Sequence, residues 1–396
     1  MNVNESSSAG RCVARSQEIG GLAILAASIA LTACGSTGDG AVLFEPWVAG
    51  PGPRQPAFLA FSSLYSGVGP APIGAPDFPK LLSETGAFAD VETLEPVSGI
   101  LPYEIQAPLW SDGARKQRWV SVPEGASFGY SEDGPFGIPA GAVFVKHFEI
   151  AMDERFPERR SRLETRFWVA VRPDAQYGVT YKWNADQTDA ELLVGSEVEE
   201  LKVIGADGEE RTQSYFYPGP GDCGTCHNAQ AGFVLGLRAA QLNRDMSYRL
   251  DRPPIDQLSA WSEWGLLNRH IDAAISAQAP RLAVVTDEQA SLEERVRSYW
   301  EGNCAMCHAG AEGSVPGWDA RYSSALEEQG LAEPPRNPSS PASRLIEPGS
   351  PEASLIYLRG DTADSPMRMP PIGRSRVDAA YIDVLGRWIA SLEATP

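Results

Sequence analysis

Ser291-Leu-Glu-Glu-Arg-Val-Arg-Ser-Tyr-Trp-Glu-Gly-Asn-Cys-Ala-Met-Cys-His308 is the stretch on which the fold of this chain turns. Ser291 followed three places on by Glu294 has the pattern of a capping box, which satisfies the first free amides of a helix. Leu292, Val296, Tyr299 and Trp300 then recur at helical spacing and predict one apolar face. The helix runs straight into Cys304-Ala-Met-Cys307-His308. The same pattern occurs upstream as Cys223-Gly-Thr-Cys226-His227.

The pattern has a physical logic. Two thiols three positions apart reach the two vinyl groups of one haem and form thioethers, and the adjacent His supplies an axial nitrogen to the iron. Rival readings fit less well. A zinc ribbon separates its two Cys-x-x-Cys pairs by about 15–20 residues, and here Cys226 and Cys304 are much further apart. A thioredoxin-like site needs a βαβ setting, which the flanking sequence does not offer. Two local disulfides leave the paired histidines unexplained. The chain has 4 His and 6 Cys in all, and the two motifs use 2 of the former and 4 of the latter. Two covalently attached haem c groups are therefore expected, held by Cys223, Cys226, Cys304 and Cys307, with His227 and His308 on the irons.

The sixth ligand decides much of the chemistry. Met367-Arg-Met369-Pro-Pro371 lies before the final helical pattern, where small cytochromes c often present a thioether from a Pro-containing loop. Met369, directly before Pro370, is the expected ligand, with Met367 in reserve and simple packing as the alternative for both. For the first haem, Met246 and His270 follow at plausible distances, but neither sits in a recognisable ligand loop. That iron is left open between either ligand, one from the β-rich region, and none.

Working outward, Ser350-Pro351 reads as an N-cap with Pro at the first helical position. Val377, Tyr381, Leu385, Trp388, Ile389 and Leu392 form one stripe of a further helix. Upstream, Ala142–Ile150, Arg166–Arg172 and Tyr177–Trp183 are strand-like runs of Val, Phe, Tyr and Trp. His147, in one of them, reads as structural. The expected class is α+β multidomain. An N-terminal β-sandwich-like domain (78–217) precedes two mainly helical c-type haem regions (218–285 and 286–396), the last resembling a class I cytochrome c domain.

Residues 1–33 read as a signal peptide. Arg11 and Arg15 precede an uncharged run, Gly20–Thr32, too short to span a bilayer comfortably. Leu31-Thr-Ala-Cys34 resembles the lipobox, which implies lipidation of Cys34, and Gly35 resembles sorting to the outer membrane. The alternative is plain cleavage near Ala33. Either removes Cys12 and exports the chain to the periplasm. Residues 34–77, rich in Gly, Ser and Pro, read as a tether.

The whole chain of 396 residues exceeds what one core usually serves. With 43% hydrophobic and 21% charged residues it reads as globular, and 38 Gly with 32 Pro suggest many turns. A net charge of −19 argues against nucleic acid and favours a cationic protein partner, or simply solubility.

The chain also resembles a family of exported bacterial diheme c-type cytochromes. The resemblance covers most of the mature chain. It rests on Leu82-Ser-Glu-Thr-Gly86, on Pro108-Leu-Trp-Ser-Asp-Gly-Ala-Arg-Lys-Gln-Arg-Trp119, on Val234-Leu-Gly-Leu237 with Gln241-Leu-Asn-Arg244, on Leu292-Glu-Glu-Arg295 and on Pro348-Gly-Ser-Pro351. The two Cys-x-x-Cys-His motifs and Met369-Pro-Pro371 complete it. It implies two haems and the same order of regions. Some relatives join this unit to a sugar-dehydrogenase-like domain, which implies a periplasmic dehydrogenase as electron donor. Three functions follow as expectations: electron transfer, a peroxidase-like reaction at the first haem, and a docking role for the β-rich region with its Trp110, Trp119, Trp168 and Trp183.

Overall fold

The structure is a computed structural model, and it describes residues 78–248, 252–310, 317–335, 340–363 and 366–393. The expected signal peptide, Cys12, Cys34 and the tether lie outside the described residues. Among those that are described, no helix is long and apolar enough to cross a membrane.

Six strands form one antiparallel meander in chain order. They are β1 (Ile100–Pro102), β2 (Arg115–Ser121), β3 (Val143–Ala151), β4 (Arg160–Arg172), β5 (Ala175–Trp183) and β6 (Ala190–Leu192). Side chains alternate between faces along a strand, and both faces here are apolar. Trp119, Val145, Phe167 and Val179 stand in register on one face. They pack there with Leu82, Phe88 and Leu94 of the preceding segment. Val120, Phe144 and Trp168 form the matching row on the other face, against Val234, Leu237, Leu258 and Trp261. A separate two-stranded ribbon, β7 (Glu197–Ile204) and β8 (Glu210–Tyr217), packs Leu201, Val203 and Tyr215 against Ile150 and Leu163.

The helices are short: α1 (Ala239–Leu242), α2 (Gln257–Glu263), α3 (Ala273–Ser276), α4 (Leu292–Asn303), α5 (Leu355–Gly360) and α6 (Ala379–Ser391). The capping box forms as the sequence predicts, with Ser291 Oγ accepting from Glu294 N at 3.2 Å. Helices α4 and α6 pack through Tyr299 and Tyr381, whose rings stack at 3.7 Å. The Trp300 indole donates to the Tyr381 hydroxyl at 2.8 Å.

The expected fold class is corrected by this architecture. The chain is sheet-rich and only about 20% helical. Regions 218–285 and 286–396 are not mainly helical, and a class I cytochrome c domain is not supported. Nor does the meander pair face to face with a second sheet as a sandwich requires. The physical reason lies in what the patterns report. A continuous apolar run shows that a strand is covered on both faces, not that a sheet covers it. Here a short 3₁₀ turn and hairpin cover one face, and turns with short helices cover the other. Gly and Pro, disfavoured in a helix interior by about 1 and 3 kcal/mol respectively, also fill the segments between these short helices with turns. Gly232, Gly236, Gly310, Gly330 and Gly349 all sit at positive φ.

The segment before β2 joins the sheet to the region of the second motif. Asp112 adopts φ 56°, and its buried carboxylate accepts from Ser375 N at 2.8 Å, Ser375 Oγ at 2.9 Å and Arg376 N at 2.8 Å. Trp110 N donates to Asn303 Oδ1 at 2.6 Å, at the end of α4. Gly302 permits this approach, since a Cβ there would run into the Ala107 carbonyl. Replacing Asp112→Ala orphans three donors at once. It is expected to lower stability by about 1–3 kcal/mol, read as a lower denaturant midpoint at unchanged slope.

Candidate functional site

The two Cys-x-x-Cys-His motifs fold into the same turn. In the first, His227 N donates to Cys223 O at 2.9 Å, and in the second His308 N donates to Cys304 O at 2.9 Å. Both turns line one cavity, which spans about 2240 Å³ of empty space with its solvent-open part included. The motifs are also neighbours. Cys307 Sγ lies 3.9 Å from Thr225 O. The Asn228 amide donates to Met306 O at 3.3 Å, tying one turn to the other.

The sheet holds the first motif. The His227 ring stacks on Trp168 of β4 at 4.2 Å. Its Nδ1 lies 2.6 Å from the Phe233 carbonyl. A carbonyl only accepts, so Nδ1 carries the proton and Nε2 keeps its lone pair. This is how proteins orient a metal-ligating imidazole. Burial, with Lys146 adding to it, pushes the His227 pKa down to about 3, so the ring is neutral at ordinary pH. Gly178 of β5 leaves room for the motif, since a Cβ there would stand 2.9 Å from Cys223 Sγ and 3.0 Å from the Trp168 ring.

Helix α4 holds the second motif, delivering Cys304 from its C-terminal end. The His308 ring lies 4.8 Å from that of Trp318. Its pKa is lowered by burial and then by Arg359. Met369 lines the same cavity. Its loop is clamped by buried Arg374, whose guanidinium donates to the carbonyls of Met369 and Gly360, to Thr362 O at 2.8 Å and to Arg376 O at 2.9 Å. Met367 is 37% exposed and does not line the cavity.

The four thiols are free, and burial raises the pKa of each, Cys226 to about 11. They are therefore protonated at neutral pH, unlike the thiolate of a thioredoxin-like site. Among the described residues, no group of three or more His, Cys, Asp and Glu is placed to hold a bare metal ion. Each motif brings one imidazole and two thiols to the cavity, a donor set that would fit a covalently attached haem. The other sequence candidates stand elsewhere. Met246 packs beside the core under the sheet, and His270 is exposed, so neither lines the cavity. His147 points to the opposite face, where its Nδ1 lies 2.8 Å from Thr165 Oγ1. Of the four tryptophans, Trp119 and Trp183 are core on that opposite face, while Trp110 and Trp168 line the cavity.

Sequence reasoning missed Trp168 as a partner of His227, and Phe233, Gly178, Asn228 and Arg374 altogether. Asn228 directly follows His227, a weak signal. The others are set by register and loop closure. Compared with family models, curated proteins and solved structures, the chain matches none. The resemblance to diheme cytochromes therefore rests on the motifs themselves.

Gly178→Ala is expected to lower stability by about 1–3 kcal/mol through overpacking. Gly195→Ala, whose added methyl meets open space, is expected to leave it unchanged. Thermal melts of the two variants side by side test this.

Proposed function

We propose that the chain is an exported diheme c-type cytochrome that passes electrons between a periplasmic donor and an acceptor. The observation that carries the proposal is the adjacency of two identical turns, distant in sequence, on one cavity. Cys223 and Cys226 would hold one haem and Cys304 and Cys307 the other, with His227 and His308 as axial ligands. When bound, the haem irons supply one-electron chemistry by cycling between ferric and ferrous states. The chain supplies the rest. Phe233 fixes the His227 tautomer, Trp168 sets the ring plane, and Asn228 keeps the two turns together. Arg374 clamps the loop that brings Met369 to the cavity, where its thioether would hold the second haem's iron and raise its reduction potential.

Export and a lipid anchor at Cys34 belong to the same proposal. So does a redox protein partner, a periplasmic dehydrogenase by the resemblance. An acidic chain of net charge −19 suits a cationic docking face.

A second reading has its own observation. Both sequence candidates for the first haem's distal position, Met246 and His270, stand outside the cavity. This favours an open iron there and a peroxidase-like reaction. A low-spin ferric spectrum for both haems, with no cyanide or peroxide binding, rules that reading out.

Haem content of periplasmically matured protein is the primary test. Two covalent haems per chain are expected, and one after Cys223→Ala with Cys226→Ala. Fewer than two in the wild type overturns the proposal. Met369→Ala is expected to lower one of two reduction potentials and abolish the charge-transfer band of a thioether-ligated ferric haem. Met367→Ala is expected to leave both in place. Potentiometric titration of the two variants decides the assignment.

A further inference from the structure

The antiparallel register places Arg118 of β2 directly opposite Lys146 of β3, and Lys146 directly opposite Arg166 of β4. All three line the cavity. Like charges facing each other across strands destabilise a sheet, and buried charges are normally paired. Two of these cations have carboxylate partners. Arg118 Nη1 lies 3.2 Å from Glu104, and Arg166 Nε lies 2.9 Å from Glu164. Lys146 has none among the described residues; its ammonium lies 5.4 Å from the Phe148 ring centre. Arg118 is 5% exposed, and its Nη2 is buried without a hydrogen-bond partner.

The surroundings do not redress the balance. Lys116 adds a further cation close by, its Nζ donating to the Leu109 carbonyl. Glu164, the carboxylate whose charge reaches Lys146, is committed to Arg166, and Asp112 is committed to Ser375 and Arg376. Burial and the neighbouring Arg118 and Arg166 push the Lys146 ammonium well below its usual pKa. An anion inside the cavity would relieve this strain.

We propose that the Arg118–Lys146–Arg166 ladder is an anion site that takes a carboxylate or a small oxyanion within the cavity. Both guanidinium groups already hold a carboxylate of the chain, so the donors left for an anion are Arg118 Nη2 and the Lys146 ammonium, and charge-assisted bonds to carboxylate or oxyanion oxygens suit them. The chemistry is the same for two sources. One is the propionate carboxylates of the haem at Cys223 and Cys226, which rests on the reading above. The neighbouring row of the same face carries Trp168 and Gly178, which pack on His227 and Cys223. The other is a free oxyanion drawn from solution.

The test uses the full periplasmically matured protein, with Lys146→Gln, the conservative Lys146→Arg, and Arg118→Gln as a second variant in case the first does not accumulate. Haem content is measured first, and it alone judges the diheme reading. If haem carboxylates occupy the ladder, Lys146→Gln or Arg118→Gln lowers one of two reduction potentials, because a cation near the iron favours its reduced state. Lys146→Arg restores it. If a free oxyanion is the ligand, inorganic phosphate raises the wild-type melting temperature saturably against chloride at fixed ionic strength, and the variant loses that response. Unchanged potentials together with no saturable phosphate response overturn the proposal. Where the wild type carries fewer than two haems, the phosphate response alone decides it.

Discussion

Everything at the cavity depends on the carboxylate of Asp112. It stands at a left-handed backbone position just before β2 and takes three donors from Ser375 and Arg376. Arg376 extends the junction, pairing with Glu154 at 2.8 Å and donating to Gln213 at 3.1 Å. The sheet carries the first motif's support and α4 delivers the second motif. This junction works with the Asn228–Met306 and Trp110–Asn303 bonds to hold the two turns together. A charged acceptor of several hydrogen bonds is stronger than a neutral one, by about a factor of two per bond, which suits a joint between segments far apart in the chain.

The sheet face toward the cavity is built in rows with distinct work. The row of Val120, Phe144, Trp168 and Gly178 is apolar and supports the first motif. The next row, Arg118, Lys146, Arg166 and Thr180, is cationic. Magnitudes separate their meanings. A favourable cross-strand pair contributes about 0.2–1 kcal/mol, whereas an ion taken out of water costs several kcal/mol unless compensated. The apolar row is what folding requires. The cationic row works against folding even with Glu104 and Glu164 paired to its arginines, which is the ground for proposing an anion there.

Much of the local structure was legible. The runs 142–150, 166–172 and 177–183 fall within or against strands β3, β4 and β5, and the patterns around Leu292 and Tyr381 mark α4 and α6. The two motifs were legible as a repeated pattern of thiols and imidazole, and the structure brings both to one cavity. The tertiary arrangement was not. Both-face burial at Phe144 and Val145 looks the same whether a sheet or a set of loops lies above, so a sandwich was expected and a covered meander is found. The helical regions were overread because one strong helix at each end suggested continuity through Gly- and Pro-rich turns. Lys146 was invisible as part of a ladder, since register is set by turns and by neighbouring strands.

The junction at Asp112 also orders events in time. Its partners Ser375 and Arg376 come 263 and 264 positions later in the chain. Contacts of such separation close late, because the entropy of a long loop is lost before the contact repays it. A chain that emerges from its N-terminus can complete the sheet while the Met369 loop is still to come. Until residue 376 docks, the cavity would lack the wall that Met369–Arg374 provides. The junction thus makes the far wall of the cavity one of the last parts of the fold to close, and the four thiols remain partly exposed once it has.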